Sequence, residues 1–138
     1  MKKLFLLVIL LELLSLIMTG CTNNSRSTAG SIAPSSQVRP ITVEELNKLL
    51  NAGTDQNTVL VDLREPILYK NGHIKDAILI PFADFEKQYT QLDKAKKIIF
   101  ICHTGPMGEV TGQFLIAKGY TQIYNLEGGM KAWDENSH

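Results

Sequence analysis

The 138-residue sequence lacks the features that mark several large classes of protein. Its 14 Lys and Arg residues balance its 14 Asp and Glu residues, so the formal charge is zero and no acidic or basic partner is indicated. It has neither a stripe of basic residues nor a nucleic-acid-binding motif, which argues against nucleic-acid binding. The three His and two Cys residues show no zinc-ligand spacing, so the sequence predicts no metal site.

The sequence also lacks a hydrophobic run long enough for a membrane-spanning helix, which needs about 20 apolar residues. Residues 4–18 are apolar except for Glu12 and Ser15, and they follow the basic pair Lys2 and Lys3. A basic start, a short apolar run and a small-residue end are typical of a secretory signal peptide. We therefore predict that residues 1–20 are a signal peptide and that the protein is exported.

The end of this segment, residues 18–21 (Met-Thr-Gly-Cys), resembles the bacterial lipobox, in which the signal is cut before a cysteine that carries lipid. The resemblance implies lipidation of Cys21 and a protein anchored to a membrane of the bacterial cell envelope, facing the periplasm or the outside. An ordinary signal peptide with a chance cysteine and an uncleaved anchor are the alternatives. If Cys21 carries lipid, Cys102 is the one remaining thiol, and no intrachain disulfide can form.

Residues 21–40 are rich in Ser, Thr, Asn, Gly and Ala and contain almost no large apolar side chains. Such a segment cannot bury enough surface to offset the entropy that is lost on ordering. We predict that it is a flexible tether between the membrane and a folded domain at residues 41–138.

From residue 41 onwards, helix and strand patterns alternate. Thr42 and Glu45 have the spacing of a capping box, and apolar residues then recur at helical spacing up to Gly53. Short apolar strands are predicted at residues 58–63, 77–80, 97–101 and 121–125, and further helices at residues 82–92, 109–118 and 130–133. Strands that alternate with helices of about ten residues predict an α/β domain with a parallel sheet.

Cys102 is the residue with the clearest chemical use. It directly follows the apolar strand 97–101, and parallel sheets place their sites at the carboxyl ends of the strands. The loop of residues 103–108 leads into a helix, so its N–H groups and the helix dipole can surround an anion and favour thiolate over thiol. From this local pattern alone, a buried structural cysteine is an almost equally well supported interpretation.

Three ordered motifs decide between these interpretations, and together they resemble the rhodanese family. The first motif comprises residues 61–65 (Val-Asp-Leu-Arg-Glu), Tyr69, residues 72–74 (Gly-His-Ile), Ala77 and residues 80–81 (Ile-Pro). The Cys102 loop follows where this family has its catalytic cysteine, and residues 128–133 (Gly-Gly-Met-Lys-Ala-Trp) resemble the family's closing element. The resemblance covers residues 41–133.

This resemblance implies a five-stranded parallel sheet flanked by helices and a cysteine that takes sulfane sulfur from a small donor. The cysteine becomes a persulfide and passes the sulfur to a thiol or to cyanide, with no metal or organic cofactor. By the matching positions, Cys102 is the nucleophile, and the substrate-binding loop consists of His103, Thr104, Gly105, Pro106 and Met107. Two positions depart from the family pattern: Met107 stands where Arg is usual, and Asp76 stands where Gly is usual.

Other polar residues of these motifs are expected to support the site. Asp62 and Arg64 are predicted to orient loops by hydrogen bonding and ion pairing rather than to touch substrate. His73 is predicted to be a structural hydrogen-bonding residue near the end of the sheet. His103 lies beside Cys102, but adjacent side chains usually point apart, so a Cys–His dyad is the weaker alternative.

The leading functional hypothesis is an extracytoplasmic, monomeric sulfurtransferase that works through a persulfide on Cys102. The alternative is a catalytically weak rhodanese-like module that binds a partner or senses redox state at the membrane. A phosphatase is the least favoured of the three. Its Cys-x5-Arg loop needs an Arg for bidentate phosphate binding, and Gly108 occupies that position here.

Replacing Cys21 by Ala tests the lipobox prediction. Lipid would attach through the Cys21 thiol, so cells that express the Cys21→Ala variant should incorporate no labelled fatty acid into the protein. Fluorography after metabolic labelling measures this, and Cys102→Ala is the matched cysteine control that should still be labelled. Labelling that persists in the Cys21→Ala variant would contradict the prediction.

Overall fold

The structure is a computed structural model, and it describes residues 37–53 and 56–136 of the chain. The predicted signal peptide at residues 1–20, the predicted lipidation site Cys21 and most of the predicted tether lie outside the described residues. In the part of the chain that is described, no helix is long and apolar enough to cross a membrane.

Within the described residues, five strands form one sheet at the centre of the domain. In chain order they are β1 (Arg39–Ile41), β2 (Thr58–Asp62), β3 (Ile78–Leu79), β4 (Lys97–Ile101) and β5 (Ile123–Leu126). Across the sheet the order is β1-β5-β4-β2-β3, and every neighbouring pair is parallel. The predicted five-stranded parallel sheet is confirmed.

Helices cover both faces of this sheet. They are α1 (Val43–Asn51), α2 (Pro66–Asn71), α3 (Phe85–Gln88), α4 (Pro106–Ala117) and α5 (Gly129–Asn136). Residues of α3 and α4 pack into the hydrophobic cluster on one face, and residues of α1 and α5 pack into the cluster on the other. The domain therefore has the α/β architecture with flanking helices that the sequence predicts.

The central strand β4 is buried from both sides. Ile98 and Phe100 lie in one cluster and Ile99 and Ile101 in the other, and each of these side chains has 0% exposure. Burial of each such side chain contributes roughly 1.5–3 kcal/mol of hydrophobic stabilisation. The backbone of β4 pairs with β2 on one side and with β5 on the other. The chain is thus firmly held at the point where Cys102 follows β4.

The folded domain begins earlier than the sequence predicts. Strand β1 pairs with β5, and Val38 in front of it is buried. Pro40 is tolerated because β1 lies at the edge of the sheet. Val38 also fills the space beside Gly112 of α4, where an added Cβ would collide with it. Residues 38–40 therefore belong to the domain, and the predicted tether boundary at residue 40 is wrong.

One predicted helix cap and one departure from the family pattern can be examined in the structure. Glu45 N donates to Thr42 Oγ1 at 3.2 Å, and Thr42 N donates to Glu45 Oε2 at 2.9 Å, which confirms the capping box before α1. Asp76, which stands where the family usually has Gly, has a positive φ of 64°. Asp tolerates this conformation better than most residues, so the departure is a turn variation.

The segment of residues 82–92 differs from the single helix that the sequence predicts. Short 3-10 turns at Phe82–Asp84 and Tyr89–Gln91 flank α3. The Tyr120 hydroxyl donates to the carbonyls of Tyr89 at 3.2 Å and Leu92 at 2.9 Å, and so holds the end of the segment against the core. Burial raises the pKa of Tyr120, so this donor stays protonated well above neutral pH.

Candidate functional site

Cys102 lies at the carboxyl end of β4, and only 1% of the residue is exposed. The Gly105 N–H donates to Cys102 Sγ across 2.9 Å. Gly105 is the N-cap residue of α4 and adopts φ 115° and ψ −41°, which glycine reaches without a side-chain clash. A donor aimed at sulfur stabilises the charged thiolate more than the neutral thiol. The loop therefore aims a backbone donor at the Cys102 sulfur.

The loop around Cys102 offers further hydrogen-bond donors. The first backbone hydrogen bond of α4 runs from Glu109 N to the Gly105 carbonyl, at 3.3 Å. The loop N–H groups that have no acceptor among the described residues are those of His103, Thr104, Met107 and Gly108. The N-terminus of α4 adds positive potential from the helix dipole. Together these groups are suited to hold an anion beside the sulfur.

Helix α5 holds two backbone carbonyls at the start of the loop. Met130 N donates to the Cys102 carbonyl at 2.8 Å, and Lys131 N donates to the His103 carbonyl at 3.1 Å. Gly129 allows this close approach, because an added Cβ would collide with the backbone of Cys102 and His103. Its φ of 58° also favours glycine. The second glycine of the closing motif is therefore required by the Cys102 loop.

Asn125 of β5 also contacts the loop, although the sequence patterns did not single it out. Its Nδ2 donates to the Gly105 carbonyl at 2.9 Å. Its Oδ1 faces Gly108 of α4, where an added Cβ would collide with the Asn125 side chain. One sequence signal could have identified Asn125. It is a polar residue two positions after Ile123, whose side chain lies in the core.

Asp62 and Arg64 meet at the end of β2. Arg64 Nη2 donates to Asp62 Oδ2 at 2.7 Å and to the Gly72 carbonyl at 2.8 Å, and Arg64 Nε donates to Asp62 Oδ1 at 3.0 Å. Both residues are buried. The pair ties β2 to the turn at Gly72, and its role in supporting the loops of the site stays a prediction. Because Asp62 neutralises Arg64, the pair adds little net charge to the site.

A cleft of about 380 Å³ lies beside the Cys102 loop. Its lining residues include Arg64, His73, His103, Met130 and Trp133. His73 Nδ1 donates to the Tyr69 carbonyl at 2.9 Å, and the two rings stack with their centroids 3.8 Å apart. Within the described residues, no hydrogen bond joins the exposed His103 ring to Cys102, and no group of His, Cys, Asp and Glu could hold a metal ion. The geometry gives a Cys–His dyad no support.

The predicted substrate-binding loop is partly helical. Pro106 and Met107 form the first turn of α4, so the helix begins at residue 106 and not at the predicted residue 109. Pro is favourable at the first helical position, where its missing N–H leaves no bond unmade. Thr104 is exposed, whereas Met107 is half-buried and packs against the cluster that contains Cys102.

Residues 42–136 match the family model of the rhodanese-like domain. The chain belongs to the rhodanese-like domain family. The YtwF protein of Bacillus subtilis (strain 168) is 31% identical to it over 98 residues, which are 71% of this chain and 92% of that protein. The thiosulfate sulfurtransferase GlpE of Shewanella oneidensis is 27% identical over 90 residues, which are 65% of this chain and 89% of that protein. The crystal structure of a rhodanese-like domain protein from Staphylococcus aureus matches with a TM-score of 0.63 at 28% identity, covering 70% of this chain and 91% of that chain.

In this rhodanese-like domain, Gly129→Ala should disturb the Cys102 loop. The added Cβ would collide with the loop backbone at a positive φ, so the free energy of unfolding should fall by about 3 kcal/mol or more. Urea unfolding measures the loss, and the alkylation rate of the Cys102 thiol reports the local damage. Gly53→Ala is the matched control, because its Cβ meets no atom within 4 Å at φ 84°, and it should lose only about 1–2 kcal/mol. Equal losses in the two variants would contradict the collision.

Proposed function

We propose that this protein is a sulfurtransferase that carries sulfane sulfur as a persulfide on Cys102. The observation that carries the proposal is the hydrogen bond of 2.9 Å from the Gly105 N–H to Cys102 Sγ at the N-terminus of α4. A thiolate at this point is a nucleophile, and the loop N–H groups that have no acceptor among the described residues suit the charge of an outer sulfur atom. The similarity to the thiosulfate sulfurtransferase GlpE over 89% of that protein supports the same class of reaction.

The proposed transfer consists of two displacement steps. The Cys102 thiolate attacks the sulfane sulfur of a donor, the donor's S–S bond breaks, and the rest of the donor leaves as an anion with the bonding electrons. A thiolate or cyanide then attacks the terminal sulfur of the Cys102 persulfide. The bond between the two sulfur atoms of the persulfide breaks, and Cys102 returns as a thiolate. The cysteine ends in its starting state, so the cycle requires neither a metal nor an organic cofactor.

The proposal also places this reaction in the bacterial cell envelope. Its support is the sequence of residues 1–21, in which a basic start and a short apolar run lead to a lipobox-like end. The polar residues that follow would separate the lipid on Cys21 from the domain. The protein would act there as a lipid-anchored monomer, with a small sulfur donor and a thiol or cyanide acceptor as its partners.

A catalytically weak binding or redox-sensing module is the second candidate. Two observations favour it: Cys102 is only 1% exposed, and Met107 brings no positive charge to the loop. Incubation of the protein with thiosulfate and cyanide separates the candidates. Repeated formation of thiocyanate supports the transferase, whereas a single slow modification of Cys102 without turnover supports the module.

A phosphatase is disfavoured because there is little space for a side chain at residue 108. The Arg of a Cys-x5-Arg loop would occupy this position, which lies in the first turn of α4. An added Cβ at Gly108 would collide with Asn125 and would lie 3.2 Å from Phe100 Cβ. An Arg could enter only if the Asn125 side chain moved away, so the loop lacks the residue, and the space beside it is occupied.

Cys102→Ser should abolish sulfur transfer. A hydroxyl is a much weaker acid than a thiol, so it can neither hold sulfane sulfur nor leave as a good anion. Thiocyanate formation measures turnover, and intact mass after incubation with donor measures the gain of one sulfur atom. Cys21→Ala is the matched control and should keep full activity in detergent. Turnover by the Cys102→Ser variant would contradict the assignment of Cys102 as the nucleophile.

Because Met107 brings no positive charge to the loop, we propose that the protein prefers sulfur donors that are less charged than thiosulfate. Two like charges about 4 Å apart repel by about 1 kcal/mol in water and by several kcal/mol in a partly buried loop, which opposes the approach of thiosulfate to a thiolate. The helix dipole offsets roughly 0.3–1 kcal/mol of this repulsion. Arg64 is neutralised by Asp62, and the acidic Glu109 lies in the first turn of α4. A persulfide or polysulfide donor is therefore expected to bind better than thiosulfate.

Met107→Arg should lower the Michaelis constant for thiosulfate about tenfold or more, because each 1.4 kcal/mol of binding is a factor of about ten. The same change should have a much smaller effect with a persulfide donor. Steady-state kinetics with both donors measures this, and Met107→Leu is the control that changes the side chain without adding charge. If the unchanged protein already saturates at micromolar thiosulfate, the backbone N–H groups suffice and the electrostatic explanation is wrong.

A further inference from the structure

We infer that Asn125 is a positioning residue for the Cys102 thiolate and acts through Gly105, an inference that rests on the proposed function of Cys102. Asn125 Nδ2 donates to the Gly105 carbonyl at 2.9 Å, and the Gly105 N–H donates to Cys102 Sγ at 2.9 Å. The two bonds hold Gly105 from both sides, at φ 115° and ψ −41°. Asn125 thereby fixes the direction in which the Gly105 N–H points at the sulfur.

The Gly105 carbonyl has a hydrogen bond without Asn125. It is the N-cap carbonyl of α4 and accepts from Glu109 N at 3.3 Å. The need to satisfy this carbonyl therefore does not explain a side-chain amide at residue 125. What Asn125 adds is a second and shorter bond, which comes from β5 and ties the start of α4 to the central sheet.

Asn125 is also an unfavourable choice for stability alone. Its Oδ1 is buried and has no hydrogen-bond partner within the described residues. An unpaired buried acceptor destabilises the folded state, because it has lost its bond to water. Ile123, two positions earlier on the same side of β5, is buried in the core. A polar residue that breaks such an apolar pattern is typical of a functional site.

Helix α4 is shaped to accommodate this side chain. Gly108 lies in the first turn of α4, and an added Cβ there would collide with Asn125 Oδ1 and Cγ. Glycine is a poor helix former, so helix propensity does not explain its presence. The space that Asn125 requires does explain it. Asn125 and Gly108 thus form a matched pair, and the pair places the amide against the Gly105 carbonyl.

The test measures how readily the Cys102 thiolate forms. Full-length protein that carries Cys21→Ser has Cys102 as its only thiol. The rate of its alkylation by iodoacetamide is measured against pH, with and without Asn125→Leu, a change that keeps the branched shape of the side chain and removes the amide. The other charged groups on the surrounding elements stay the same in both proteins. They are His103, Glu109, Lys131 and the Asp62–Arg64 pair.

Asn125→Leu should raise the pH midpoint of alkylation by about half a unit or more, which is a roughly threefold smaller thiolate fraction below the midpoint. The rate of sulfur transfer should fall with it. Stability to urea should stay equal or increase, because the unpaired Oδ1 is gone. A purely structural role of Asn125 predicts the opposite pattern, namely lower stability with an unchanged midpoint.

Ile123→Val is the structural control, since it trims a buried side chain of the same strand and should leave the midpoint unchanged. Asn125→Ala is a second variant that avoids crowding by the Leu methyl groups at Gly108. An unchanged midpoint in a folded Asn125 variant would overturn the inference, whatever the sulfur-transfer result. A raised midpoint, with no sulfur transfer by any protein, would support the positioning role and overturn the proposed function of Cys102.

Discussion

The burial of β4 on both of its faces is the constraint on which the rest of this domain depends. Its residues 98–101 are completely covered by the two hydrophobic clusters. A shift of one residue would exchange the side chains between two clusters that are close-packed around different shapes, so side-chain fit specifies the register of this strand. The strand therefore ends at Ile101, and Cys102, which is still buried, lies at the carboxyl edge of the sheet. The position of Cys102 follows from core packing before any contact of the loop is considered.

The loop beyond Cys102 gains its positive potential from backbone rather than from side chains. Gly105 N–H bonds the sulfur, further N–H groups of the loop are unpaired among the described residues, and α4 begins at Pro106. Arg64, the buried cation at the end of β2, is occupied by Asp62 and the Gly72 carbonyl. Backbone donors are fixed in direction but carry only partial charge, which suits a single outer sulfur atom better than a dianion.

Three elements hold this loop, and each contains a residue that is unfavourable for the stability of that element. Helix α5 begins with Gly129 at a positive φ so that the next N–H groups can reach the loop carbonyls. Helix α4 has Gly108 in its first turn, and the amide oxygen of Asn125 in β5 has no hydrogen-bond partner in the part of the chain that the structure describes. Each feature is unfavourable for its own element, and all of them converge on the backbone around Cys102. Stability is thus reduced locally where the chemistry requires a fixed backbone.

The sequence by itself determined the elements whose signals are local: the capping box at Thr42, the apolar strand β4, the parallel sheet and the place of Cys102 at a strand end. It did not predict β1 or α2, because three residues of an edge strand and six of a helix are too short to show a period. It also missed Asn125, whose partner Gly105 lies 20 residues away along the chain. Only the packing of β5 against α4 brings the two together. Hydrogen bonding and periodicity within one element are visible in the sequence. The direction of the Gly105 N–H depends on contacts between different elements, so only the tertiary structure decided it.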